Sequence, residues 1–356
     1  MRFVEIGDLK PGMVLAKSIR GNNHQVLLAK GTTLKAGYIS NVEKLNCTGL
    51  YINDEFSKEI EISDIISDEL RAAAVQDMKN IFINLQEDPE SNALINTSAL
   101  SEYLNKIIEE IISSKKVMLN LMDIKSFDLY TYQHSVNVAI LSIVMGVGLN
   151  MKRKDLHNLG MAALFHDIGK TAIPIEILNK IEPLTAKEVE ILQTHPKTGF
   201  LIAKERLLFS AHAYVAIMQH HEKYDGTGYP SAKTGDCLLL FSKIISLANV
   251  YDAMTSKTFR HESVLPSEAL EYIMANSGIH FDPDLVLLFT KKVAAYPLGT
   301  TVTLSNGLKG IVVENYAEFN TRPKVKIFTF DSDESYYIDL KDDPNAMSIT
   351  IVGASK

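Results

Sequence analysis

From about Met122 to Ala295 the chain offers almost nothing but helix, and this limits the fold more than any other feature. Apolar residues recur there at helical spacing, and start signals divide the stretch into short segments. Helix starts are expected near Tyr130, Lys154, Ile175, Thr185, His195, Ala211, Leu239, Ser267 and Pro283. Thr185-Ala186-Lys187-Glu188 carries the residues of a capping box. Asp282-Pro283 places a capping Asp before a first-turn Pro. The expected architecture is mainly α, a helical bundle core between small β-rich N-terminal and C-terminal modules.

The flanks read differently. Residues 1–58 hold short apolar runs, Val14-Leu15-Ala16, Val26-Leu27-Leu28 and Leu50-Tyr51-Ile52, broken by turn signals. Residues 59–122 form a helical linker. Its first helix is expected from about residue 60 to 86 and its second from Thr97-Ser98 to about Lys116. The second carries a stripe of Tyr103, Leu104, Ile107, Ile108, Ile111 and Ile112, which serves either packing or a homodimer face. Residues 123–295 are the core, and 296–356 a second β module. There Ser305-Asn306-Gly307 separates two strand-like runs, a hairpin signal.

Composition removes several function classes. The formal net charge is −7, so no basic face is offered to a nucleic-acid polymer. Two cysteines, Cys47 and Cys237, are too few for a disulfide framework. Val138 to Leu149 is the longest apolar stretch, about a dozen residues against the roughly twenty that span a bilayer. Met1 to Lys10 carries charges and no apolar core, unlike a signal peptide. A cytoplasmic protein without a membrane span is expected.

Chemistry gathers in the core. The apolar run Ala162-Ala163-Leu164-Phe165 ends in His166-Asp167-Ile168-Gly169-Lys170. An imidazole nitrogen and carboxylate oxygens able to bridge two ions suit a transition-metal site. Gly169 reads as the left-handed residue just past a helix end, turning Lys170 back over the site to meet an anionic substrate. Further candidates fall on separate helices: His134 at the opening of one, His195 at the opening of another, His220-His221-Glu222 at the end of a third, and Asp252 within a fourth. Neutral imidazoles with two carboxylates form a ligand set for two borderline-soft divalent ions rather than for tetrahedral zinc. Each histidine alone reads more readily as a core or surface residue; the joint pattern carries the signal.

Together, His166-Asp167 with Lys170, His195-Pro196, His220-His221-Glu222, Gly228-Tyr229-Pro230 and Tyr251-Asp252-Ala253 resemble the HD-GYP family of the HD phosphohydrolase superfamily, over residues 123–293. That resemblance implies an HD-type all-helical bundle and a metal-dependent phosphodiesterase. The enzyme would hydrolyse cyclic di-GMP, a bacterial second messenger, to pGpG and sometimes on to GMP, with a hydroxide activated by two metals. It implies His134, His166, Asp167, His195, His220, His221 and Asp252 as ligands, Asp167 bridging, to two divalent ions, iron or manganese. It implies Lys170 and Asp167 as catalytic. Lys170, Arg260, Gly228, Tyr229 and Pro230 would face the substrate. Diguanylate cyclase (GGDEF) domains are implied as partners. Family members with a third metal carry a Glu one turn before the first His. Here that position is Tyr130, which implies a dinuclear site and favours pGpG as product.

Two other readings stay open from the sequence: a phosphohydrolase acting on a different cyclic dinucleotide or nucleotide, and an HD-like signalling scaffold with little activity. The scaffold reading expects broken motifs, whereas every implied ligand is present here.

Overall fold

The computed structural model describes residues 1–21, 25–43, 49–62, 65–89, 91–114, 118–119, 130–258, 262–328 and 335–355. Arg260 and Cys47 lie outside them. The N-terminal module contains β1 (Arg2–Glu5), β2 (Val14–Leu15), β3 (Ile19–Arg20), β4 (Val26–Leu28), α1 (Ala36–Glu43) and β5 (Gly49–Asn53). The helices that follow are α2 (Asp68–Glu87), α3 (Ser98–Ser113), α4 (Tyr130–Gly148), α5 (Arg153–Leu164), α6 (Ile175–Leu178), α7 (Ala186–Leu192), α8 (His195–Arg206), α9 (Ala211–Gln219), α10 (Leu240–Thr255), α11 (Pro266–Ala275) and α12 (Pro283–Lys292). The chain then runs through β6 (Thr301–Leu304), β7 (Lys309–Glu314), β8 (Lys324–Phe328), β9 (Ser335–Asp339) and β10 (Ile351–Ala354). The mainly α reading holds, with small antiparallel sheets toward both ends.

Every expected helix start between Tyr130 and Pro283 falls within a residue of an observed one. The caps account for part of that accuracy. Thr185 Oγ1 accepts from the Glu188 backbone N–H while the Glu188 carboxylate accepts from the Thr185 N–H, as the capping box requires. Asp282 accepts from the N–H groups of Asp284 and Leu285 ahead of a first-turn Pro283. The first linker helix begins at Asp68, later than the expected residue 60, because Ile60 and Ile62 are drawn into a core between the β modules.

α4 is the axis of the bundle. From His134 to Gly146 all of its residues are buried, and α2, α3, α5, α10 and α12 pack around it. A helix apolar on all sides belongs inside a bundle or a membrane. The surrounding helices make it the former, and no helix among the described residues is long and apolar enough to cross a membrane. The stripe on α3 faces inward too. Leu104, Ile107, Ile108 and Ile111 are buried against α2, α4 and α5. Each such burial contributes about 2 kcal/mol, which makes these four a packing surface, whereas Ile112 of the same stripe is exposed.

The β modules meet each other. β1, β5 and β2 form an antiparallel sheet in the order β1-β5-β2, and β3 pairs with β4. The C-terminal sheet runs β10-β6-β7-β8-β9. Phe3, Tyr51, Ile60 and Ile62 share one apolar cluster with Ile311, and the Phe3 N–H donates to the Gly299 carbonyl at 3.0 Å. No local pattern announces this union, because the contacts join residues about 250 to 310 positions apart.

One local expectation is corrected. His166 and Asp167 do not lie on a helix: α5 ends at Leu164, and the pair occupies the turn leading into a 3-10 segment, Ile168–Ala172. Gly169 takes no left-handed φ. Its value is closeness. A methyl there would stand 2.0 Å from the His195 carbonyl oxygen and 2.5 Å from the Gly199 nitrogen, so only glycine lets this turn press onto the start of α8. Gly169→Ala is expected to destabilise the fold by about 3 kcal/mol in urea unfolding. Gly7→Ala, where an added methyl meets nothing within 4 Å, should shift it by less than about 0.5 kcal/mol.

Candidate metal centre

Three histidines are held by the same device. The ring Nδ1–H of His166 donates to the Ala163 carbonyl at 2.8 Å, that of His195 to Leu192 at 2.6 Å, and that of His220 to Ile217 at 2.6 Å. Each bond satisfies a carbonyl three residues back, near a helix end where such groups lack partners. Each also fixes the tautomer, leaving Nε2 as an unprotonated lone pair.

Those lone pairs converge on Asp167. Its Oδ1 lies 3.4 Å from His195 Nε2 and 3.8 Å from His220 Nε2. Its Oδ2 lies 3.4 Å from His166 Nε2, 3.9 Å from His134 Nε2 and 2.6 Å from Lys170 Nζ. Two ligand groups result, Asp167 with His195, His220 and His221, and Asp167 with His134 and His166, each with donor atoms within 4.8 Å of one another. The carboxylate belongs to both and turns one oxygen to each.

These residues fit divalent cations. His166 Nε2 and Asp167 Oδ1 are buried without a hydrogen-bond partner. His195 Nε2 and His220 Nε2 face each other at 3.3 Å, two acceptors once both Nδ1 atoms carry the proton. Buried acceptors cost free energy unless something positive meets them, and a shared cation does so for all of them together.

The protonation states agree with ligation. Burial pushes the Asp167 carboxyl up, but Lys170, His166 and His195 more than offset it and hold it well below the usual carboxylate range. Burial, reinforced by His221 and His166, pushes His220 well below the usual histidine range. His221 is lowered in the same way by burial and by His195. The centre therefore keeps an anionic carboxylate beside the neutral imidazoles of His220 and His221.

The Gly228-Tyr229-Pro230 loop forms the wall beside His221. The Tyr229 ring stacks on His221 with centroids 4.7 Å apart and planes inclined by 14°. A methyl on Gly228 would stand 2.3 Å from the Lys223 nitrogen and 2.5 Å from the His221 carbonyl oxygen, so the loop lies flat on the turn after α9. Glu222 is buried, and its carboxylate accepts from the N–H groups of Ser231 (2.7 Å) and Lys233 (3.1 Å), tying down the far side of the loop.

Asp252 stands on the His134 side. Its Oδ2 accepts from His134 Nδ1 at 2.7 Å and its Oδ1 from Asn137 Nδ2 at 3.0 Å. Asn249 meets the other nitrogen of His134 at 2.9 Å. Tyr130 stacks on the His134 ring, with centroids 5.6 Å apart. Sequence reading names Glu222 only within a motif and assigns no part to Asn137 or Asn249, though a signal exists for these two. Asn137 sits one turn after His134 and Asn249 one turn before Asp252, so each shares a helix face with an expected ligand.

The chain belongs to the HD domain family, whose sequence model matches residues 106–285. It is 32% identical over 265 residues to a cyclic di-GMP phosphodiesterase of Pseudomonas aeruginosa, covering 74% of this chain and 64% of that protein. It is 34% identical over 139 residues to a cyclic di-GMP phosphodiesterase response regulator of Xanthomonas campestris pv. campestris, covering 39% of this chain and 37% of the relative. A 3′3′-cGAMP-specific phosphodiesterase of Vibrio cholerae is 31% identical over 199 residues, 55% of this chain and 38% of its own length. The chain thus spans less than two thirds of each of these relatives.

The lowered histidines carry a signed consequence. As pH falls below about 6.5 the unfolded chain takes up protons that folded His220 and His221 refuse, so stability is full above that pH and is lost as pH drops toward the folded values. Chelator-treated protein should therefore lose up to about 1.4 kcal/mol per pH unit per histidine between pH 6.5 and 5.5 in urea unfolding. His220→Gln should flatten that slope; an unchanged slope would count against His220 as its source.

Proposed function

We propose that the chain is a metal-dependent phosphodiesterase that hydrolyses cyclic di-GMP to pGpG at two divalent ions, iron or manganese. The observation that carries this reading is the Asp167 carboxylate, one oxygen turned to His195 and His220 and the other to His166 and His134. His134, His166, Asp167, His195, His220 and His221 would hold the ions, with Asp252 as the carboxylate on the His134 side. Bound there, two divalent ions would acidify a water and neutralise phosphoryl oxygens.

The protein's own groups supply the rest. Hydrolysis breaks one P–O3′ bond, forms one P–O bond to a water oxygen, and leaves a 3′-hydroxyl beside a 5′-phosphate. Negative charge grows on the phosphoryl oxygens as this happens. Lys170 Nζ, half-buried and 2.6 Å from Asp167 Oδ2, sets a fixed cation at the edge of the centre where that charge develops. Burial and Asp167 push the Tyr229 phenol up, so it stays a neutral hydrogen-bond donor on the wall. Gly228 and Pro230 would shape that wall, and Arg260 is proposed to meet a substrate phosphate. The same reading places the protein in the cytoplasm, with a GGDEF domain or a second copy of the chain as expected partners.

A second substrate, 3′3′-cGAMP, is favoured by the names of two relatives. The test is hydrolysis of both cyclic dinucleotides by protein purified without oxygen, with products separated by chromatography. pGpG from cyclic di-GMP supports the reading; turnover of 3′3′-cGAMP alone moves the activity to that substrate; cleavage of neither removes it. Asp167→Ala should abolish both metal content and hydrolysis. Lys170→Ala should keep its metals and lower kcat by about a hundredfold. Metal loss in Lys170→Ala would make that lysine structural.

A further inference from the structure

The family match begins at residue 106, and α2 lies wholly before it. α2 nevertheless packs on α4 and on the Ile168–Ala172 turn. One of its side chains reaches toward the centre: Arg71 Nη1 donates to Asn137 Oδ1. From there the polar chain continues through Asn137 Nδ2 to Asp252 Oδ1, and through Asp252 Oδ2 to His134 Nδ1. Asn137 and Asp252 are each only 2% exposed, so water has little access to substitute for a missing member.

An asparagine amide has a donor end and an acceptor end, and either can point at a given neighbour. Facing a carboxylate, only the donor end is attractive. The guanidinium of Arg71 offers only N–H donors and so meets the oxygen end of Asn137. That choice leaves the NH2 group directed at Asp252. With the amide set, Asp252 has Oδ1 engaged by Asn137, while Oδ2 accepts from His134 Nδ1 and from Ser256 Oγ at 3.3 Å. Without Arg71, the buried Asn137 oxygen loses its donor, and the amide that donates to Asp252 Oδ1 is no longer braced from the α2 side.

We propose that Arg71 is a positioning residue for the His134 side of the metal centre, acting through Asn137 and Asp252 from outside the family domain, so that the centre is fully assembled only while α2 is docked on α4. The proposal rests on the metal-centre reading above but not on the identity of the substrate. Partners that orient a ligand govern metal affinity strongly, commonly tenfold to a hundredfold.

The test uses the full chain, stripped with chelator and titrated with Mn2+ by calorimetry. Arg71→Met keeps the aliphatic stem and removes the donor. It should weaken one of two Mn2+ ions about tenfold or more and leave the other within about twofold. Arg71→Lys, which keeps a charged donor, should recover part of the loss. Arg71→Met combined with Asn137→Ala should bind no more weakly than Asn137→Ala alone, because both interrupt one path. Asn80→Ala, exposed on the same helix, should bind as the wild type does. If Arg71→Met loses its helical circular dichroism, Arg71→Lys carries the test and must still bind one ion more weakly than the wild type. Wild-type affinity in the folded Arg71 variants, or losses that multiply between Arg71 and Asn137, would overturn the proposal. A wild type that takes up no Mn2+ would overturn the metal-centre reading with it.

Discussion

Everything in this molecule leans on one buried carboxylate. Asp167 is about 1% exposed, surrounded by imidazoles, and still ionised. Burying a charge is costly unless positive groups compensate it. Lys170 supplies part of that compensation at 2.6 Å, and the converging Nε2 lone pairs require the rest to be cationic as well. The bundle is arranged to meet that requirement. α4 brings His134, the turn after α5 brings His166 and Asp167, the first residue of α8 brings His195, and the end of α9 brings His220 and His221. Helix ends recur because a carbonyl left without an intrahelical partner there accepts the Nδ1–H and aims the opposite nitrogen inward.

The helical region was legible almost residue by residue, because helix periodicity and capping are local. Thr185-Glu188 and Asp282-Pro283 name their own helix starts. The buried cluster of His134, His166, Asp167, His195, His220 and His221 was legible as a set because several rare residue types recur in order. Other features depend on distance in the chain, and the sequence does not display them. Gly169 looked like a helix stop, yet it is a contact point with the backbone of α8, visible only once the two elements meet. Glu222 looked like part of a motif, yet its work is to hold the backbone at Ser231 and Lys233. The merger of the two β modules through Phe3, Tyr51 and Ile311 has no local signature at all.

That merger changes how the chain reads as a whole. The N-terminal strands, the C-terminal sheet and the linker before α2 are packed together, with Lys326 buried against Glu59 at 3.2 Å. Asn320 ties the C-terminal module to the bundle by donating to the Thr290 and Val293 carbonyls and accepting from the Ala295 N–H. α2 touches both the axis helix and the turn that carries Lys170. The centre is built by the family domain but braced by a helix outside it.

The central claim is that Asp167 is shared by two cation positions, and anomalous diffraction from crystals grown with Mn2+ measures it most directly. The account predicts two peaks flanking the Asp167 carboxylate, one beside His195, His220 and His221 and the other beside His134 and His166. A single peak, or two peaks on the same side of Asp167, would contradict it.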